Sequence, residues 1–325
     1  MYIVGSLFPL QQTRYLFCKL YIAKFFGQAY NSVMIQPLPT AIDRPNSLKA
    51  KRIASTLNVR TQTRSWLPVD MGQWLWFIKQ QSLASTFPVY IFLSLAVTRF
   101  IHIPGVPRYD LLLFLCLAAQ AAFLCFRYET FREFKVIMAF HVIGLVLEVY
   151  KTRLGAWSYP GPSWFHIGSV PLYSGFMYAS VASYICQAWR RLNLRLTNVP
   201  HWGLSCALAV AIYVNFFTEA LFVDLRWLLI VLVFLHFRNT WVLYGTSSSK
   251  LSLRMPISVG LVLVGLFVWF AENFGTLCGA WRYPNQNHGW ALVHASKLGS
   301  WFLLVVIEFL IVARLKCRRP EGDPR

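Results

Sequence analysis

Two glutamates, Glu148 and Glu272, close two apolar runs, and each is followed at the same spacing by Gly-Ala-Trp-x-Tyr-Pro. A carboxylate at the outer end of an apolar helix costs about a few kcal/mol if it faces lipid, so both are expected to face protein or water. The glycines in each loop, Gly155 and Gly279, allow a tight reversal that brings Trp157, Tyr159, Trp281 and Tyr283 to a mouth between the two copies. The competing expectation is that these aromatics anchor at the headgroup level, with the proline only ending the helix. The chemistry such a mouth offers is acid–base. A buried glutamate could protonate a double bond of an apolar substrate while tyrosine and tryptophan faces stabilise the cation.

Other polar residues extend this set. His141, Gly144 and Glu148 fall at i, i+3 and i+7 and so share one helix stripe, with His141 about 10 Å below Glu148 along the axis. They are expected to be joined by a water or a substrate, or else to bond separately to neighbouring helices. Asn215, Thr218 and Glu219 cluster at the end of another apolar run, and Glu308 sits deep in the last one. Lys297 could neutralise Glu272 or bind an anionic head group. Catalytic roles are therefore assigned to Glu148, Glu272 and His141. Substrate contacts are assigned to Trp157, Tyr159, Trp281, Tyr283, Asn215, Glu219, Lys297 and Glu308. No HExxH, P-loop or dinucleotide motif is present, and the histidine spacing asks for no metal. No cofactor is expected.

The elements that would position these residues are apolar runs near 83–103, 109–126, 134–150, 170–189, 201–219, 221–237, 255–272 and 298–315. Several approach the roughly 20 residues needed to cross a bilayer. With 57% hydrophobic, 17% aromatic and 13% charged residues and a mean hydropathy of +0.48, the chain has too little charge for a water-soluble surface. The fold class is all-α: a polytopic transmembrane helical bundle of about eight spans. The register between the copies holds from Gly175 onto Gly299 and from Arg190 onto Arg314, which indicates a duplication. Residues 72–197 and 198–316 then form two parallel four-helix repeats, and 317–325 a cytoplasmic tail. The formal charge of +19 would suggest nucleic acid in a soluble protein. Here most lysines and arginines flank apolar runs on one side, so nucleic acid is not expected and both termini are placed in the cytoplasm. The Gly175-x-x-x-Ala179-x-x-x-Ser183 ridge is expected to pack helices. Cys116, Cys125, Cys186 and Cys206 lie in apolar runs and suggest no disulfide frame.

Residues 1–71 are basic and have no clean apolar span. They are expected to be a lipid-lying amphipathic helix, a targeting leader, or sequence upstream of a true start at Met71. The last explains best why the repeat ignores them.

The run Phe140–Pro160, with Pro171–Tyr178, Tyr213–Phe217 and Ala271–Gly275, resembles the YoaT-like family of bacterial integral membrane proteins, a domain of unknown function. That resemblance implies a multi-pass protein of the bacterial inner membrane and supplies no catalytic residues. Glutamate, Gly-x-Trp-x-Tyr and Gly168-Ser-Val-Pro-Leu172 also look like the pattern of membrane-bound carotenoid hydratases and small lycopene cyclases. The cyclases carry acidic residues after Pro-Leu, where this chain has Tyr173 and Ser174. The functional expectations are an enzyme on an apolar, polyprenoid-like lipid, a proton-coupled transporter of a small solute or lipid, or a non-catalytic membrane assembly partner.

Overall fold

The computed structural model describes residues 71–219, 222–245 and 253–317. The expected N-terminal extension lies outside them apart from Met71. Helices α1 (Met71–Ala84) and α2 (Thr86–Phe100) form one stretch broken at Ser85 and bent by 60°. Pro88 accounts for the break. It lacks an N–H, and its ring collides with the carbonyl four residues earlier, which belongs to Ala84, the last residue of α1. The run expected at 83–103 is thus the second arm of a bent pair, and Trp74 and Trp76 belong to the first.

Helices α3 (Arg108–Cys125), α4 (Phe131–Arg153), α5 (Ser174–Arg191), α6 (Trp202–Thr218), α7 (Arg226–Phe237), α8 (Ile257–Leu277) and α9 (Lys297–Cys317) lie on the remaining apolar runs. Among the described residues α3, α8 and α9 are long and apolar enough to cross a membrane, and α1 with α2 makes a fourth. The 12 residues of α7 reach only about 18 Å, short of a hydrocarbon core of about 30 Å. The connections are not all irregular, which amends the all-α expectation. β1 (His166–Ile167) pairs with β2 (Val170–Pro171), and β3 (Arg195–Thr197), β4 (Trp241–Tyr244) and β5 (Leu253–Pro256) form an antiparallel sheet in that order. Backbone groups in these crossovers pair with one another instead of remaining unsatisfied.

The helix pairs α4–α5 and α8–α9 make the most extensive contacts. Glycine sets the approach in both. A β-carbon on Gly144 would lie 2.4 Å from the Tyr178 ring, and one on Gly265 would lie 3.0 Å from the Phe302 backbone. Ala179 and Ser183 are buried on the same ridge as Gly175. In α9, 67% of the apolar window is buried, against 28% in α8, so α9 runs through the centre while α8 faces outward. Leu93, Phe267 and Leu235 are among many large apolar side chains left exposed, a surface suited to hydrocarbon.

At the end opposite the glutamate-bearing termini of α4 and α8, Thr130 and Glu133 form a capping box at the start of α4. Glu133 also pairs with Lys316 of α9 and with Arg190 of α5 at 3.3 Å. Glu129, in the α3–α4 connection, accepts hydrogen bonds from Gln120 and Ser183. Burial pushes its carboxyl above the usual range and outweighs those bonds. A carboxyl raised in the folded state adds stability that is complete below the unfolded value and is lost as pH climbs through the folded one. The melting temperature of the solubilised protein is therefore expected to fall as pH rises above the ordinary carboxylate range, and Glu129→Gln should flatten that fall. Identical pH slopes for the two proteins would refute this.

Candidate functional site

Helices α4 and α8 both end in a left-handed glycine, with φ of 72° at Gly155 and 69° at Gly279. A side chain there would be strained, and each glycine turns the chain back over its own helix. The reversal returns the aromatics to the glutamate they follow. Trp157 Nε1 and Tyr159 OH donate to Glu148 Oε2 at 2.6 and 2.8 Å. Trp281 Nε1 and Tyr283 OH donate to Glu272 Oε2 at 3.3 and 2.7 Å. Each copy of the motif is therefore a local clasp in which an indole and a phenol hold one carboxylate oxygen.

The two clasps meet. Ser158 and Arg282, which occupy equivalent positions in the two motifs, exchange both backbone hydrogen bonds at 2.9 Å. Trp157 lies edge-on to Tyr283 at 5.9 Å. The Lys297 ammonium sits over both of those rings, 5.5 Å from Trp157 and 5.3 Å from Tyr283. Tyr109 of α3 and Tyr173, stacked at 5.3 Å, both donate to Ala280 O, which fastens the second loop to the first half of the chain. Burial first, and then the charge of the partner carboxylate, push the Tyr159 and Tyr283 phenols well above their ordinary value. Both stay protonated and keep donating.

The clasps differ at one atom. Tyr178 of α5 donates to Glu148 Oε1 at 2.8 Å, which gives that carboxylate three donors. The residue of α9 equivalent to Tyr178 is Phe302, which has no hydroxyl. Among the described residues Glu272 Oε1 makes no hydrogen bond, and the nearby cation is Lys297.

The other expected residues lie elsewhere. His141 is buried against Phe176 at 4.4 Å between ring centroids, and its Nδ1 has no partner among the described residues. It makes no bond to Glu148. Glu308 is buried in α9 with Oε1 unpartnered among those residues. Glu219 is held by Lys151 at 2.5 Å and Arg226 at 3.1 Å. Asn215 joins the α6–α7 turn by accepting from Leu225 N at 3.0 Å and donating to Asp224 at 3.4 Å. These two residues belong to an ion-pair and hydrogen-bond network that, among the described residues, makes no bond to the clasp carboxylates. Tyr178 was overlooked as a site residue; its pairing with Phe302 at the repeat offset is the signal that could have found it. No group of three or more His, Cys, Asp or Glu capable of holding a metal occurs among the described residues.

Long apolar helices and an aromatic, carboxylate-bearing cap at one end define a helical membrane protein. The chain belongs to the family described as "Protein of unknown function (DUF817)", whose model matches residues 73–309. It is 50% identical over 237 residues to "Uncharacterized protein YoaT" of Bacillus subtilis (strain 168), covering 73% of this chain and 89% of that one. These matches bear out the YoaT-like resemblance and do not bear on the carotenoid hydratases or lycopene cyclases. Among solved structures the chain is similar to a mycobacterial Insig homologue, MvINS from Mycobacterium vanbaalenii, and to a cross-linked trimer of it. Each is 14% identical and covers 59% of this chain and 98% of the other, with TM-scores of 0.44 and 0.43.

Proposed function

We propose that the chain crosses the bacterial inner membrane about eight times, with both termini in the cytoplasm, and acts as an enzyme on an apolar lipid through acid–base chemistry at Glu272. Counting α1 with α2 as one bent span gives eight segments, provided the bilayer thins locally to accommodate the short α7. Two like-oriented four-helix units are supported by helices α4 and α8, and α5 and α9, which recur at nearly the same bounds after the motif offset. The direct pairing of Ser158 with Arg282 also fits a two-fold axis along the membrane normal.

The unequal state of the two carboxyls carries the functional reading. Glu148 is saturated by three donors and holds the loops in place. Glu272 keeps one oxygen open, so it can take a proton from a bound lipid or return one. The faces of Trp157 and Tyr283 already carry the Lys297 ammonium, so they are poorly placed to stabilise a carbocation. Lys297 is better suited to the negative charge that develops when Glu272 moves a proton at the oxygen-bearing end of a lipid. Acid–base groups of this kind contribute about 10²–10⁴-fold. Lipid extracts of a deletion strain should therefore be restored by Glu148→Gln and not by Glu272→Gln at equal membrane abundance. A deletion extract indistinguishable from wild type would sink the enzyme reading.

A proton-coupled transporter is the second reading, favoured by the unpartnered His141 Nδ1 and Glu308 Oε1 in the interior. Uptake into proteoliposomes that ignores a pH gradient would remove it. A non-catalytic assembly partner would instead co-purify with another protein at fixed stoichiometry.

A further inference from the structure

A cleft of about 200 Å³ opens beside the second clasp, lined by Arg99, Thr276, Arg282, Gln286, Asn287 and Trp290. It lies at the end of the bundle where cations are scarce, and most of those present are engaged. Lys151 and Arg226 pair with Glu219, and Lys297 covers two rings. Arg108 donates to Thr98 Oγ1, Leu95 O and Gly279 O. Arg99 donates from Nη1 to Leu277 O, the last residue of α8, and lines the cleft. The exposed Arg282 side chain makes no hydrogen bond or ion pair among the described residues, although its backbone is pinned to Ser158. No carboxylate lines the cleft. Two guanidiniums sharing one unneutralised cleft fit an anion with several oxygens, for which the planar fork is suited.

The surroundings narrow the anion's source. Leu277 lines the same cleft, and Phe274 beside it on α8 meets Phe92 of α2 edge-on at 5.5 Å. Phe274 and Leu277 are exposed, so an apolar flank leads from the arginines along α2 and α8. Trp290, also exposed, suits the headgroup level. We propose that this cleft binds the phosphate of an anionic phospholipid, held between Arg99 and Arg282 with its acyl chain on Phe92, Phe274 and Leu277. The first copy lacks an equivalent of Arg282, since Ser158 stands at that position. The proposed site rests on the membrane-spanning reading and is independent of chemistry at Glu272.

The test uses the full chain in mixed micelles with phosphatidylglycerol, with phosphatidylcholine, or with inorganic phosphate. It reads lipid retained after washing by native mass spectrometry, together with the melting temperature. Phosphatidylglycerol should be retained over phosphatidylcholine and should raise the melting temperature. Arg282→Gln, which breaks no side-chain hydrogen bond or ion pair among the described residues, should weaken its retention about tenfold, as expected for loss of a charged hydrogen-bond partner. Arg99→Gln should do the same, and Glu272→Gln should bind like wild type, which separates this site from the proposed enzyme. Inorganic phosphate stabilising as well as phosphatidylglycerol would overturn the lipid as ligand, and equal retention by wild type and Arg282→Gln would overturn the site.

Discussion

Glu148→Ala is expected to deplete the folded protein from the membrane, while Glu148→Gln is expected to preserve it. Alanine leaves three buried donors, Trp157 Nε1, Tyr159 OH and Tyr178 OH, without the acceptor they meet at 2.6, 2.8 and 2.8 Å. Each orphaned donor costs about 1–3 kcal/mol, and a cavity adds to that. The sum rivals the whole stability of a typical domain, about 5–15 kcal/mol. Glutamine keeps one oxygen for Trp157 and Tyr159, and the Tyr178 hydroxyl can rotate to accept from the new amide. Membrane abundance and melting temperature of the three proteins check this. An alanine variant that accumulates and melts like wild type would show that the first clasp does not hold the loops.

The second large effect is expected at Gly175. A β-carbon there would lie 2.6 Å from the His141 carbonyl oxygen and 2.8 Å from Leu145 Cγ, and the nearest obstacle is backbone. Helices α4 and α5 would have to separate, so Gly175→Ala should cost about 1–3 kcal/mol, toward the upper end. The equivalent residue Gly299 provides an internal control. A β-carbon at Gly299 would meet the tip of Ile230 at 3.1 Å and Arg226 Cδ at 3.3 Å, both side-chain atoms that can give way by a few tenths of an ångström, and alanine also favours a helix by about 0.5–1 kcal/mol. Gly299→Ala should thus be near neutral. Equal losses of melting temperature for the two variants would contradict the close approach of α4 and α5.

The clasps explain why part of the site was legible in the residues alone. Glutamate, glycine, tryptophan and tyrosine lie within twelve consecutive residues of each copy, so a helix end and one left-handed turn are enough to return the aromatics to the carboxylate. The helices from α2 onward were legible for a similar reason, since each sits on its own apolar run, whereas α1 falls on none of the expected runs. Even the break at Ser85 follows from Pro88 four residues after Ala84.

What needed the tertiary structure was every relation between distant segments. The letters Tyr178 and Phe302 were in plain view, yet their consequence depends on α5 carrying Tyr178 against α4 at the level of Glu148. Asn215 and Glu219 have the composition of a site, and only packing shows that Lys151 and Arg226 come onto Glu219. Lys297 could have paired with Glu272 or faced outward; the meeting of the two loops sets it over Trp157 and Tyr283. Backbone geometry determines where a side chain goes within a turn or two of its own helix, whereas its partner from another helix is chosen by how closely small residues let the helices approach.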